Sequence, residues 1–346
     1  MASPYLIGTT ILFVTGKSNR PISRALVVGG GIGLRHLSNL QTILPNVELR
    51  LLSTHSDISH ANKKIELVAD LEAARLFNPQ ITVVANPATY HAQVISHLAS
   101  TGSAFLIEKP IAASLADAEA IKEQSLLFSS LVMVGYNLRF SHSLNFLKDL
   151  IDQKEFGEVV TVQADVGQDL RTWRPEVDFR NSVSAQKNLG GGVLLELSHE
   201  IDYLSWIFGD LQHLHSITGT IGPFQIDVED FAYIHFVTSK GVPISLTMDF
   251  LRRGKGRECV VVCQDGTLKW DGIDGSVSEL SLAGKWEIIQ SWDDDLAGTY
   301  AAELNYYLDC FSTGAPPQCN LEDAIKTLNI VEEIKRNSQV LWRSHV

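Results

Sequence analysis

Some residues in this sequence have the types and spacing to do chemistry. An apolar run at 105–107 stops abruptly on Glu108, Lys109 and Pro110. An acid and a base there mark either a plain strand end or a ligand site at the carboxyl edge of a sheet. A lysine works as a base only where burial or nearby positive charge disfavours its ammonium. His199 is a second candidate, with Glu196 and Asp202 each three residues away. Histidine titrates near neutral pH, and residues three apart share a helix face. The plain alternative is a half-buried histidine satisfied by one of those carboxylates. The polar stretch 171–192 carries Trp173 among Arg171, Arg174 and Arg180. Guanidinium groups grip carboxylates and phosphates bidentately, whereas a solvated loop is the bland reading. Arg252, Arg253, Lys255 and Arg257 form a basic run, which reads as a solvated sheet edge or as an anion site. The 11 histidines are scattered, and no His/Asp/Glu spacing suggests a metal, so none is expected.

These residues need elements to hold them. The first half alternates short β-branched runs with helical patterns. Strands are expected near 24–31, 47–53, 80–87, 103–110 and 131–137. Helices are expected at 32–44, at 63–77 with a break at Asp70, at 89–101 and at 115–129. This is a doubly wound parallel sheet with helices on both faces, an α/β Rossmann-type domain. The turn Gly29-Gly30-Gly31-Ile32-Gly33 follows the first strand and opens a helix. Glycines there let the backbone approach a pyrophosphate, and the helix N-terminus favours its charge. The turn is one residue short of G-x-G-x-x-G. The second strand also lacks the usual acid for the ribose hydroxyls, offering Ser53, Thr54, His55 and Ser56 instead. NAD and NADP both remain open, with Asp57 available to swing in.

After about residue 137 the alternation ends. A long helix is expected at 193–208, stopped by Gly209. Strand patterns at 158–170, 214–222, 230–238, 242–253, 257–271 and 285–292 are joined by short turns such as Lys240-Gly241 and Asp265-Gly266. They predict an α+β domain with a mostly antiparallel open sheet, closed by two terminal helices. The expected division is a dinucleotide-binding domain at 1–136, with 1–23 an extension, and a substrate-binding and oligomerisation domain at 137–346.

Composition sets outer limits. The chain has 346 residues and a formal net charge of −12, which argues against nucleic acid or an anionic membrane as partner. Its 4 cysteines include no CxxC pair, and Cys259 and Cys263 read as small buried hydrophobes. No apolar run reaches the length of a membrane span, and the apolar start lacks a basic n-region. A cytoplasmic protein is expected.

Several motifs then align. The stretches 27–37 (VVGGGIGLRHL), 85–93 (ANPATYHAQ), 106–112 (LIEKPIA), 135–140 (GYNLRF) and 190–209 (GGGVLLELSHEIDYLSWIFG) resemble the Gfo/Idh/MocA family, named for glucose–fructose oxidoreductase and inositol dehydrogenase. The segments DVEDFA and LEDAIKTLNIVEEI fit as well, and WRPEVDFRNSVSA resembles a branch found beside bacterial surface-sugar genes. The resemblance implies an NAD(P)-dependent dehydrogenase or reductase acting on a secondary alcohol of a sugar, sugar derivative or nucleotide sugar. It implies a cofactor site at Gly29, Gly31, Ile32, Gly33, Ser53, Thr54, Asn86, Pro87, His91, Glu108 and Lys109. Lys109 would lie beside the nicotinamide and the reacting hydroxyl, and Glu108 would face the nicotinamide ribose. The family's helix histidine falls on His199, and the position of the aspartate four residues before it holds Leu195. Either His199 accepts the proton while Lys109 orients the hydroxyl, or the two roles are reversed, with Glu196 or Asp202 supporting the histidine. Asn137, Arg139, Trp173, Arg174 and Asp202 would line the substrate cleft. A homodimer or homotetramer would form through the C-terminal sheet. The rival reading is a non-catalytic dinucleotide-binding sensor of the same fold.

Overall fold

A computed structural model describes residues 21–53, 65–173, 175, 178–293 and 295–342. Thr54 and Arg174, and with them His55, Ser56 and Asp57, lie outside the described residues. The first sheet contains β1 (Arg24–Val28), β2 (Glu48–Leu52), β3 (Glu66–Leu67), β4 (Ile81–Val84), β5 (Ala104–Glu108) and β6 (Val132–Gly135). All its pairings are parallel, in the order β3-β2-β1-β4-β5-β6. Chain order reverses between β1 and β4, so a crevice opens at their carboxyl ends, where such sheets bind ligands. The crossovers are α1 (Ile32–Ile43), α2 (Leu71–Phe77), α3 (His91–Leu98) and α4 (Leu115–Leu127). Strands β4 and β5 are buried along their whole length, as burial between two helical layers requires.

One stretch departs from expectation. The described part of the helix expected at 63–77 begins at 65 and is not a broken helix: Glu66–Leu67 adds an edge strand to β2, and the helix starts only after Asp70. Asp70 Oδ1 accepts the Ala73 N–H at 2.7 Å, so this acid is an N-cap rather than an interruption.

The second sheet is built from β7 (Val159–Gly167), β8 (Leu211–Thr220), β9 (Phe231–Thr238), β10 (Pro243–Asp249), β11 (Gly256–Cys263), β12 (Thr267–Asp271), β13 (Ser276–Leu280), β14 (Trp286–Ser291) and β15 (Gln339–Trp342). It is mostly antiparallel, with parallel pairings only at β7–β10 and β8–β15. Its helices are α5 (His142–Asp152), α6 (Val193–Glu196), α7 (His199–Phe208), α8 (Asp295–Thr313) and α9 (Leu321–Asn337). Alternating burial along β9 and β11 puts one face against α6 and α7. Cys259 and Cys263 are free and buried in this core. Leu304, Tyr307 and Leu308 of α8 pack with Val27, Leu37 and Leu106. The late helix α8 therefore covers one face of the first sheet beside α1, although it follows the second sheet in the chain. No described helix is long and apolar enough to cross a membrane.

The glycine turn is held tightly. Gly29 has φ 113°, and a Cβ placed on it would sit 2.4 Å from the Ala85 carbonyl oxygen. Gly29→Ala is expected to combine backbone strain with this clash, costing on the order of 3 kcal/mol, together with any affinity for a dinucleotide. Urea unfolding and nicotinamide fluorescence measure the two losses separately; wild-type values for both would show that the turn tolerates a side chain.

Candidate active site

The crevice is lined by the ends of several strands. After β1 the chain turns through Gly29 to Gly31 into α1. A Cβ on Gly31 would meet nothing within 4 Å, and Gly33 packs against Val27 and Ala85. The shortened turn thus keeps both features a dinucleotide needs, open space at a helix N-terminus and close helix–strand contact. Ile32 is the first residue of α1, and Ser53 follows the end of β2. After β4, Asn86 carries a buried Oδ1 without a partner, beside Gly29. Pro87 opens the short helical turn that precedes α3. These residues fit a dinucleotide. His91 is buried between two backbone carbonyls instead, with Nε2 2.8 Å from Asn86 O and Nδ1 3.0 Å from Ile111 O, and its single neutral N–H donates to one of them. It braces the β4 and β5 loops rather than facing the crevice, and burial lowers its pKa below 6.5.

Glu108 ends β5 beneath the crevice. His36 Nε2 lies 2.6 Å from Glu108 Oε1, and the His36 side chain is fully buried. Glu303, from α8, is also fully buried, with neither carboxylate oxygen hydrogen-bonded. Ligating atoms of His36, Glu108 and Glu303 lie within 4.8 Å of one another. Burial and the Glu108 charge push the Glu303 carboxyl well above its usual range. Sequence spacing hid this cluster, because its members lie in α1, β5 and α8.

Lys109 reaches out of the first sheet toward the second. Its Nζ donates to the Glu196 backbone oxygen at 2.6 Å, and the Lys109–Pro110 peptide is cis. Lys109, Asn137, Trp173, Glu196 and His199 line one cavity of about 430 Å³, together with Arg35, Gln168, Lys255, Arg257 and Tyr300. Asn137 is fixed by its Nδ2 donating to Thr299 Oγ1 at 2.7 Å.

The helix expected at 193–208 is broken. It divides at Leu197 and Ser198 into α6 and α7, and His199 is the first residue of α7. Glu196 therefore does not share a face with His199. Its carboxylate accepts from Ser184 Oγ at 2.8 Å. The break lets its backbone oxygen face Lys109. His199 Nδ1 is buried and unpartnered, and the ring packs edge-on to Tyr136 with centroids 5.6 Å apart. Neither Glu196 nor Asp202 supports it. Burial, then the charges of Lys109 and Arg257, hold its pKa well below 6.5.

Arg139 and Asp202 face each other rather than the cavity. Arg139 Nε and Nη2 donate to the two Asp202 carboxylate oxygens at 2.9 and 2.7 Å. Their side chains are 5% and 1% exposed, so the substrate contacts expected of them are not available. The pair anchors the turn after β6, which carries Asn137. Arg139→Ala would leave the Asp202 charge buried alone, a loss expected near 3–5 kcal/mol. Urea unfolding should show it, while the KM of the folded protein stays near wild type; a raised KM with unchanged stability would reverse this assignment. Arg171 and Arg180 are tied to Asp169 and Asp178 two residues away.

Comparison with known proteins agrees with this geometry. Residues 23–136 match the family described as "Oxidoreductase family, NAD-binding Rossmann fold", and residues 145–269 match the "GFO/IDH/MocA C-terminal domain". The chain is 23% identical over 317 residues to an inositol 2-dehydrogenase from Rubrobacter xylanophilus, covering 87% of this chain and 86% of that protein. It is 26% identical over 185 residues to a 1-carboxy-3-chloro-3,4-dihydroxycyclohexa-1,5-diene dehydrogenase from Comamonas testosteroni. That match spans 50% of this chain but only 45% of the relative. A 3-ketoreductase from Actinomadura kijaniata, solved with NADP and TDP-benzene, superposes with a TM-score of 0.80 at 18% identity, covering 94% of this chain and 100% of that one, and so shares the fold. The chain belongs to the Gfo/Idh/MocA family of oxidoreductases, and its first half is that family's NAD-binding Rossmann domain.

Proposed function

We propose that the protein transfers a hydride between a nicotinamide cofactor, NAD or NADP, and a secondary alcohol of a sugar, sugar derivative or nucleotide sugar. The observation that carries this reading is that Lys109, which follows the carboxyl end of β5, and His199 line one cavity. A bound nicotinamide would supply the hydride acceptor or donor. The glycine turn, Asn86 and Pro87 would hold it, and Glu108, paired with His36, lies beneath. Lys109 is tethered by one proton to the Glu196 carbonyl and keeps two for a substrate oxygen. Its charge stabilises negative charge developing on that oxygen. His199 is neutral, so it can accept the hydroxyl proton; in the reverse direction its protonated form returns it. The inositol and keto substrates named for relatives are alcohol–carbonyl pairs of this kind. We place oligomer contacts on the second sheet, where Trp286 and Ile288 are exposed on β14.

The test is titration of the protein with NAD(H) and NADP(H) by nicotinamide fluorescence, then a screen of sugars and nucleotide sugars for hydride transfer. Binding of one form followed by turnover is expected. A folded protein that binds neither form would overturn the reading in favour of another role for the fold.

A further inference from the structure

We propose that the substrate carries an anionic group, phosphoryl or carboxylate, held by Lys255 and Arg257 at the second-sheet side of the cavity. The proposal rests on the reading of that cavity as the substrate cleft.

The charge balance of the cavity is opposite to that of the chain. Among the described residues, Arg35, Lys109, Lys255 and Arg257 line it against a single carboxylate, Glu196, in a protein of net charge −12. That carboxylate is already engaged by Ser184 Oγ. A low-dielectric cleft of one sign concentrates ligands of the other.

The surrounding cations separate into two groups. Arg252 is paired with Asp165 and Asp249, Arg171 with Asp169, and Arg180 with Asp178. None of these three lines the cavity. Lys255, in contrast, is exposed and makes no ion pair among the described residues. Arg257 is the second residue of β11 and is anchored on one edge only. Its Nε donates to Glu200 Oε1 at 2.8 Å, with the Glu200 side chain 0% and the Arg257 side chain 15% exposed. Its Nη atoms make no hydrogen bond among the described residues. A guanidinium held at Nε and open at its forked end suits a two-oxygen anion. Arg35 belongs to α1 and stacks over Tyr300 at 4.8 Å, so it lies on the cofactor side. Lys109 and Arg257 line the same cavity as His199.

The experiment uses the full chain with saturating cofactor. Glucose, glucose 6-phosphate, glucuronate, UDP-glucose and UDP-glucuronate are compared by hydride transfer and by calorimetry. At least one anionic probe should have a kcat/KM ten-fold or more above glucose, carried by KM and weakened by salt. The three chemistries distinguish a sugar phosphate, a sugar carboxylate and a nucleotide diphosphate as the source of the charge. Lys255→Glu, a surface change that keeps the fold, should raise KM for that probe ten-fold or more. Arg257→Gln, paired with Glu200→Gln to avoid a stranded buried charge, should do the same. Both should leave the Kd for NAD(P)H within two-fold. Equal use of glucose and the anionic probes would overturn the proposal. So would variants that weaken NAD(P)H instead, because the cations would then serve the cofactor. If the protein binds no nicotinamide, the proposed function fails, and calorimetry of the same probes still decides this one: binding lost in Lys255→Glu supports it, and no binding of any anionic probe rejects it.

Discussion

Lys109→Ala is expected to lower kcat by about 10²–10³-fold, the range usual for removing a donor that stabilises a developing oxyanion. Lys109 Nζ is held 2.6 Å from the Glu196 carbonyl, across the gap between β5 and α6. This tether fixes the ammonium where a substrate oxygen would meet it. Alanine removes both the charge and the fixed donor, so an alkoxide-like transition state loses its stabilisation, whereas a dinucleotide keeps the glycine turn, Asn86 and Pro87. The affinity for NAD(P)H should therefore change far less than kcat. Lys109→Arg should not restore activity, because a planar fork cannot reproduce the geometry of an ammonium tethered to one carbonyl. Circular dichroism at the assay temperature establishes that the variants are folded. Turnover within ten-fold of wild type in folded Lys109→Ala would remove this residue from the chemistry.

His199→Asn is expected to lower kcat/KM for alcohol oxidation by at least 10²-fold and to alter its pH profile. Burial and the charges of Lys109 and Arg257 keep the imidazole neutral to a pH well below 6.5. An acceptor must be neutral to act, so the wild-type acid limb should lie below pH 6.5. In the asparagine variant that limb should vanish. A limb that persists unchanged would assign proton acceptance to another group. The same shift bears on stability. Below pH 6.5 the unfolded histidine takes up a proton that the folded one refuses, so stability present above that pH is lost as pH falls toward the folded value. His91, whose pKa is also lowered, acts in the same direction. His199→Asn should therefore lose less stability than wild type between pH 6.5 and 5, as thermal melts across that range would show.

The chain order of strands, helices and glycines determined much of this protein by itself. Alternation through residue 137 required a parallel sheet, since parallel strands need helical crossovers. A glycine turn after β1 and the acid–base pair ending β5 fall at the carboxyl edge of such a sheet by topology alone. Lys109 was legible at that edge for this reason, whereas the family resemblance singled out Asn137, Trp173 and His199; all four line one cavity. Local periodicity could not show the break at Leu197 and Ser198, because apolar spacing continues across it. Glu196 consequently offers its backbone oxygen, not its carboxylate, to Lys109. Nor could sequence separate free cations from paired ones. Arg139 meets Asp202 across 63 positions and is buried, whereas Arg257 meets Glu200 across 57 and remains half open. His36, Glu108 and Glu303 come together only because α8 returns from the second sheet to cover the first. Ion pairing, burial and proton sharing depend on which distant segments the core brings into contact, and only the tertiary structure decides that.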